Sequence, residues 1–318
     1  MNLGETLSSD TLFHFTSKRE YLENIIERGF YPRYSTEDFS MFSSVPDSTE
    51  KIFDFGVPMV CFCDIPLSKV KEHISVYKGY GIGCTKAWGI ERGVTPLVYV
   101  KPTSETVQGI QKALITLRNL SYVNEEDGKM NGPVIRGIRE SLNRLKKFIK
   151  PYEGRFEHNG QVFESKRFYD EREWRFVPNL FEDDKSLLHW IEKDLLQSSI
   201  QLAKGLIELN WPNFMPGDAP WVQQKLKSSP DLLNFPEKEL AEKLYEMLRQ
   251  EMNEKIESMP EMSLPIDPLT IKYIIVEKEE DVEPIVDLLG KRFKDYSHAT
   301  VKRLLTRIIT LEQITDDF

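Results

Sequence analysis

The chain reads as an α+β protein: a core of short strands and helices interrupted by two helical insertions. Three observations predict this. Runs rich in β-branched and aromatic residues recur at 11–16, 57–66, 95–100, 168–178 and 269–276. Apolar residues at helical spacing fill about 103–150 and 181–260, the two insertions. No repeat or low-complexity tract divides the 318 residues, so a single domain over 1–318 is expected, its core drawn from 1–100, 160–180 and 265–318.

The first strand is "TLFHFT" (11–16). Strand alternation puts His14 and Thr16 on one face and Phe13 and Phe15 on the other. One polar and one apolar face suit the wall of a cleft, while a histidine between phenylalanines also fits an ordinary core. "SKREYLENIIERGF" follows as a helix. Ser17 is its expected N-cap, with Glu20 closing a capping box. Tyr21, Leu22, Ile25 and Ile26 form its apolar stripe, and Gly29 stops it. The polar stretch 31–55 reads as a long loop, of a length that is more often functional than idle.

"VPMVCFCDIP" (57–66) reads as a buried strand and "SKVKEHISVY" (68–77) as a helix. "KGYGIGCTKAWGIERG" reads as an irregular, glycine-punctuated segment, and "TPLVYV" (95–100) as a third strand. Tyr77 and Tyr80 flank Lys78-Gly79, with Gly81 and Gly83 just beyond. These glycines do not follow a predicted strand, so the dinucleotide fingerprint is not met, and "DGKM" (127–130) lacks the rest of a phosphate loop. Beyond the insertions, "LTIKYIIV" (269–276) is the clearest strand, and helices are expected at 280–295 and 298–310.

Composition narrows the function classes. A net charge of −9 argues against a protein that coats nucleic acid with its whole surface, though not against a local basic patch. Cys61, Cys63 and Cys84 make no disulfide framework and fit a reducing compartment. With His73 they match no common zinc spacing, so no metal is expected. No long apolar run predicts a membrane span, and "MNLGETLSSD" lacks a secretory pattern; a cytoplasmic protein is expected.

Two segments carry chemistry. In "FYDEREWRFVP" (168–178), a strand would point Glu171, Glu173 and Arg175 one way and Arg172, Trp174 and Phe176 the other. That is either a solvated edge or a cleft where a carboxylate stabilises a developing cation or activates a nucleophile. The helix expected over 134–150 carries Arg136, Arg139, Arg144, Lys146, Lys147 and Lys150 against Glu140. Its apolar side would run Ile135, Ile138, Leu142, Leu145 and Ile149, leaving the basic groups to solvent or to a nucleic-acid target.

"LFHFTSKREYLENIIERGF" resembles the opening of ADP-ribosyltransferase-like proteins of the DarT and PARP types, with H-x-T on the first strand and a helix ending in Ile-x-x-Gly. The resemblance implies an ADP-ribosyltransferase-like split β-sheet core with NAD as substrate. His14 and Thr16 would hold the NAD ribose and nicotinamide amide, and Tyr77 or Tyr80 would stack on the nicotinamide. Glu173, preceded by Glu171, would be the key carboxylate, with Arg175 beside it. The chain is more closely similar to the AbiGi-type family of abortive phage-resistance proteins. Segments 12–35, 57–100, 168–178 and 269–276 and "RLLTRIITLEQITDDF" carry that likeness. Its members are commonly labelled antitoxin-like.

Two expectations follow. The first is an NAD-dependent mono-ADP-ribosyltransferase toxin or effector in anti-phage defence, with RNA or DNA as acceptor. The alternative is a catalytically inactive transferase-like fold that binds a cognate toxin or antitoxin protein.

Overall fold

The computed structural model describes residues 9–42, 54–70, 74, 79–127, 132–158, 161–178, 191–192, 200 and 219–317. Its fold is mixed α+β. The strands are β1 (Thr11–Thr16), β2 (Arg33–Asp38), β3 (Asp54–Cys63), β4 (Tyr80–Thr85), β5 (Thr95–Pro96), β6 (Val98–Val100), β7 (Ile149–Pro151), β8 (Glu153–His158), β9 (Gln161–Arg167), β10 (Glu173–Phe176), β11 (Ile191–Glu192), β12 (Ile271–Val276) and β13 (Ile308–Thr310). The helices are α1 (Arg19–Arg28), α2 (Lys86–Glu91), α3 (Glu105–Asp127), α4 (Gly132–Lys146), α5 (Ala219–Ser228), α6 (Glu237–Glu257), α7 (Val282–Arg292), α8 (His298–Leu305) and α9 (Leu311–Asp317).

The main sheet runs β13-β12-β4-β1-β3-β10-β5. Its pairs are antiparallel except β12 with β13. β3 is long enough to serve two neighbourhoods. Its first half pairs with β2 and β11, and its second half lies between β1 and β10. Small two-stranded ladders join β6 to β7 and β8 to β9.

The register sorts side chains between faces. Phe13 pairs with Cys63 and Cys63 with Glu173, so these share one face. His14 pairs with Ile82 and Thr16 with Tyr80 on the other, where Trp174 pairs with Phe62. On the His14 face, Phe62, Ile82 and Cys84 pack with Leu22 and Ile26 of α1 and Ile285 and Leu289 of α7. On the Glu173 face two apolar clusters form. One gathers Phe13, Cys63 and Ile275; the other gathers Val57, Met59 and Val107, with Cys61 against it. A further core joins α6 to Tyr34 of β2 through Leu240, Leu244 and Leu248.

Several expectations hold. Gly29 ends α1 at φ 84, where a Cβ would stand 2.5 Å from the Leu264 carbonyl oxygen; only glycine fits there. Leu22 and Ile26 are the buried part of the α1 stripe, while Tyr21 is exposed. The 103–150 stretch is helical through α3 and α4 as far as Lys146; within 181–260, α5 and α6 are helices, Ile191–Glu192 is the strand β11 instead, and most of 181–218 lies outside the described residues.

Others are corrected. The segment read as irregular is the buried central strand β4, followed by α2. A Cβ at Gly81 would stand 2.9 Å from the Phe15 ring, and one at Gly83 2.8 Å from Thr11 Cγ2 and 2.9 Å from the Phe13 ring. These glycines mark side chains lying across the strand, not a loop. The polar run after residue 31 contains β2, which pairs with β3 despite its exposed alternate residues. Ser17 does not cap α1; Lys18 occupies the N-cap without a side-chain hydrogen bond. The expected last helix stops at Leu305, and Ile308–Thr310 joins the sheet as β13. Most of the helix expected over 68–77 lies outside the described residues.

Candidate functional site

Glu171 is not on the strand. It ends a turn of 3-10 helix, Phe168–Glu171, and Arg172 then takes a left-handed φ of 43. The Arg172 carbonyl accepts from the Asp64 N–H at 3.1 Å, which anchors this turn. The reversal brings Glu171 beside Glu173 at the start of β10. Glu171, Glu173 and Arg175 therefore do converge, by a turn and a strand rather than by strand alternation alone.

Their partners come from distant elements. Lys150, on β7, donates to Glu173 Oε2 at 2.7 Å and Glu171 Oε2 at 3.2 Å. Lys166, on β9, meets Glu171 Oε1 at 2.5 Å. Arg175 donates from Nε to Glu173 Oε1 at 2.5 Å, from Nη2 to Glu37 Oε2 at 2.9 Å and from Nη1 to the Lys147 carbonyl at 3.0 Å. The Glu173 N–H donates to Tyr99 Oη at 2.8 Å. Arg175 is 0% exposed, and Glu171 and Glu173 are each 6% exposed.

Burial alone would raise the Glu173 carboxyl, but Arg175 and Lys150 outweigh it and hold it well below the usual carboxylate range. Burial likewise opposes the charges on Arg175 and Lys150, and the surrounding glutamates more than restore them. The cluster is thus a closed exchange of charge: both Glu173 oxygens already hold protein cations.

On the opposite face, His14 Nδ1 lies 2.8 Å from the Cys61 carbonyl oxygen. A carbonyl only accepts, so the proton sits on Nδ1 and Nε2 is bare. The ring meets Phe30 and Phe62 edge-on, with centroids at 5.3 and 5.8 Å. Burial pulls its pKa below 6.5 despite the hydrogen bond to Cys61, which keeps it neutral. His14 and Thr16 border a cavity of about 310 Å³ that Asn24, Phe30 and Tyr31 also line. At its rim, Arg28 and Arg33 both pair with Glu257.

The expected site residues therefore fall into separate places. His14 and Thr16 share a cavity on one face; Glu171, Glu173 and Arg175 share a cluster on the other. Tyr80 is on the His14 face, but its hydroxyl donates to Asp281 Oδ2 at 2.9 Å and borders a neighbouring cavity with Arg19 and Glu277. Burial and Asp281 raise its pKa. Tyr77 lies outside the described residues.

The expected basic face is corrected as well. The helix ends at Lys146, and Lys150 belongs to the ion cluster. Lys146 and Lys147 are buried, at 7% and 3% exposure. The Lys146 ammonium lies 5.3 Å from the ring centroids of Phe39 and Phe55. Burial, then Arg144, pulls the Lys147 pKa down to about 7. Ile138 and Leu145, expected inside, face solvent. Arg144 is exposed, and the side chains of Arg136 and Arg139 lie outside the described set.

Sequence reasoning missed Glu37, Tyr99 and Lys166. Glu37 stood in a stretch read as loop, and nothing in the sequence links it to Arg175 across 138 positions. Lys150 was visible as a charge but not as the partner of the E-x-E pair.

A buried ion cluster inside a mixed sheet defines an α+β scaffold whose charged centre is enclosed. A family model described as "Putative abortive phage resistance protein AbiGi, antitoxin" matches residues 28–198, more than half of the chain. The chain belongs to this AbiGi family. It is also 26% identical over 181 residues to the abortive phage resistance protein AbiGi of Lactococcus lactis subsp. cremoris, covering 54% of this chain and 70% of that protein. No solved structure matches. The family span contains Glu37, Cys61, Tyr99, Lys150, Lys166, Glu171, Glu173 and Arg175, and begins after His14 and Thr16. Among the described residues no helix is long and apolar enough to cross a membrane.

Proposed function

We propose that this chain serves abortive phage defence as an antitoxin-type or regulatory binding protein, on a transferase-like scaffold that does no transfer chemistry. One observation carries the reading. Both oxygens of Glu173 are engaged by Lys150 and Arg175 in a buried cluster, on the sheet face opposite His14. A carboxylate that stabilises a developing cation must reach the reacting atoms; this one is committed to holding β7 and β10 together. The family description, which names an antitoxin, supports the same reading.

A second reading is kept by the cavity beside His14 and Thr16. Its bare Nε2 and the Thr16 hydroxyl could orient a ring-sized fragment, and about 310 Å³ is at the small end for ligand sites. In that reading NAD is a substrate, the protein a mono-ADP-ribosyltransferase and nucleic acid its acceptor. Among the described residues expected to hold NAD, His14 and Thr16 line this cavity while Tyr80, Glu171, Glu173 and Arg175 do not, and a carboxylate that borders it is Glu257.

The test is incubation of the full chain with labelled NAD and separate pools of RNA, DNA and protein. The binding-protein reading expects no pool to be labelled above a protein-free control. Labelling that disappears in Glu173→Gln, at unchanged melting temperature, would overturn it.

A further inference from the structure

β3 changes partners where the cavity lies. It pairs with β1 at Cys63 and with β2 from Met59 downward. Between these points His14 Nδ1 donates to the Cys61 carbonyl. The cavity of about 310 Å³ opens beside this junction, walled by Met59 and Val60 of β3, Ile25 of α1, and Phe30 and Tyr31. His14 Nε2, the Thr16 hydroxyl and the Asn24 amide border it, and none of the three has a protein hydrogen-bond partner among the described residues. Polar groups that converge on a largely apolar pocket and lack partners are where a ligand completes the hydrogen bonding.

Each group constrains the ligand. With Nδ1–H held by Cys61, Nε2 only accepts, and burial keeps the ring neutral. The ligand must therefore bring an N–H or O–H to His14, not an anion. A hydroxyl and an amide can both donate, so an acceptor beside that donor is also served. The Phe30 and Tyr31 rings suit a planar ligand. Arg28, Arg33 and Glu257 give the rim two cations and one carboxylate among the described residues. Both arginines are held by Glu257, so they only bias the site against a cationic ring; the choice of ligand rests on His14, Thr16 and Asn24.

We propose that this cavity binds one nucleobase through an edge that sets an N–H donor beside a carbonyl acceptor, as uracil, thymine and guanine do. A volume of about 310 Å³ suits a base with its sugar better than a whole dinucleotide. Free nucleotides and single-stranded nucleic acid both present such an edge, and the shared chemistry is the base. The proposal is independent of the partner-binding reading, and it gives the cavity an occupant other than NAD.

The probes are uridine and guanosine monophosphates, twins of each methylated at the ring N–H, a short oligouridylate, NAD, nicotinamide and inorganic phosphate. Each is titrated into the full chain by calorimetry near neutral pH. At least one unmethylated nucleotide is expected to bind about tenfold or more tighter than its twin, because methylation removes the donor that Nε2 accepts. Thr16→Val and Asn24→Ala should each weaken that nucleotide about threefold or more. Neither should lower the melting temperature, since neither side chain is hydrogen-bonded to the described protein. An oligouridylate that binds tighter than the mononucleotide places the base in a single strand, and the reverse order places it in a free nucleotide; both support the site. No binding of either nucleotide, equal binding of the methylated twins, or binding untouched by both variants would overturn the proposal. So would NAD or nicotinamide binding more tightly than the nucleotides, or inorganic phosphate displacing them at equal concentration. The partner-binding reading stands or falls in its own labelling assay, whichever of these is found.

Discussion

β3 presents different physics on its two sides. Toward β10 and β7, Cys61 and Cys63 adjoin carboxylates and cations that neutralise one another at 2.5–3.2 Å. Toward α1, Phe62 meets His14, Phe30 and Trp88 in edge-on or near edge-on contacts, and beside them a cavity remains. The charged side is saturated and enclosed, whereas the aromatic side keeps a bare imidazole nitrogen and empty space. The most conspicuous charged motif of the sequence is therefore the more structural of the two regions. Cys61 is the hinge of the comparison, since its carbonyl fixes the His14 tautomer while its thiol is pushed up by burial and by the Glu173 charge.

The charged side should give the largest mutational effect. Arg175→Met leaves Glu37, Glu173 and the Lys147 carbonyl without their guanidinium inside the protein. Loss of one partner from a buried ion pair costs about 3–5 kcal/mol, so chemical denaturation should show a fall of that size. A loss below about 1 kcal/mol would mean that water reaches the cluster and that the two faces are less different than described.

The aromatic side should respond less, and with a pH signature. His14→Phe takes the donor from the Cys61 carbonyl, a cost of about 1–3 kcal/mol near neutral pH. The folded His14 pKa is depressed below 6.5, so between that pKa and 6.5 the unfolded chain binds more protons. Wild-type stability therefore falls as pH drops below about 6.5, by at most about 1.4 kcal/mol per unit. The variant should lack this component. Parallel stability profiles for wild type and variant between pH 7.5 and the carboxylate range would show that His14 is solvated, and would erase the contrast.

The sequence showed this architecture unevenly, for physical reasons. Period-two alternation placed His14 and Thr16 opposite Phe13 and Phe15, and the register agrees. β12 and α6 were legible from length and apolar pattern. β4 was not, because glycine lowers strand propensity and its reason, rings lying across the backbone, is tertiary. β2 was hidden by polar residues on an incompletely buried strand. The E-x-E run was visible as a cluster but its role was not: Lys150, Lys166 and Glu37 arrive through separate ladders that no local pattern encodes. Lys146 departed from the expected basic face for a related reason, since it turns inward over Phe39 and Phe55 while Ile138 and Leu145 stay outside.

The account turns on Glu173 as a structural carboxylate, and its unfolding free energy tests that most directly. Glu173→Gln keeps the shape and removes the charge that Lys150 and Arg175 share. The account predicts a loss of about 3–5 kcal/mol at neutral pH. It also predicts that part of this loss returns when Lys150→Met is added, because the two changes act on one network. A Glu173→Gln protein as stable as the wild type would contradict the account, because a carboxylate that can lose its charge without loss of stability is free for chemistry.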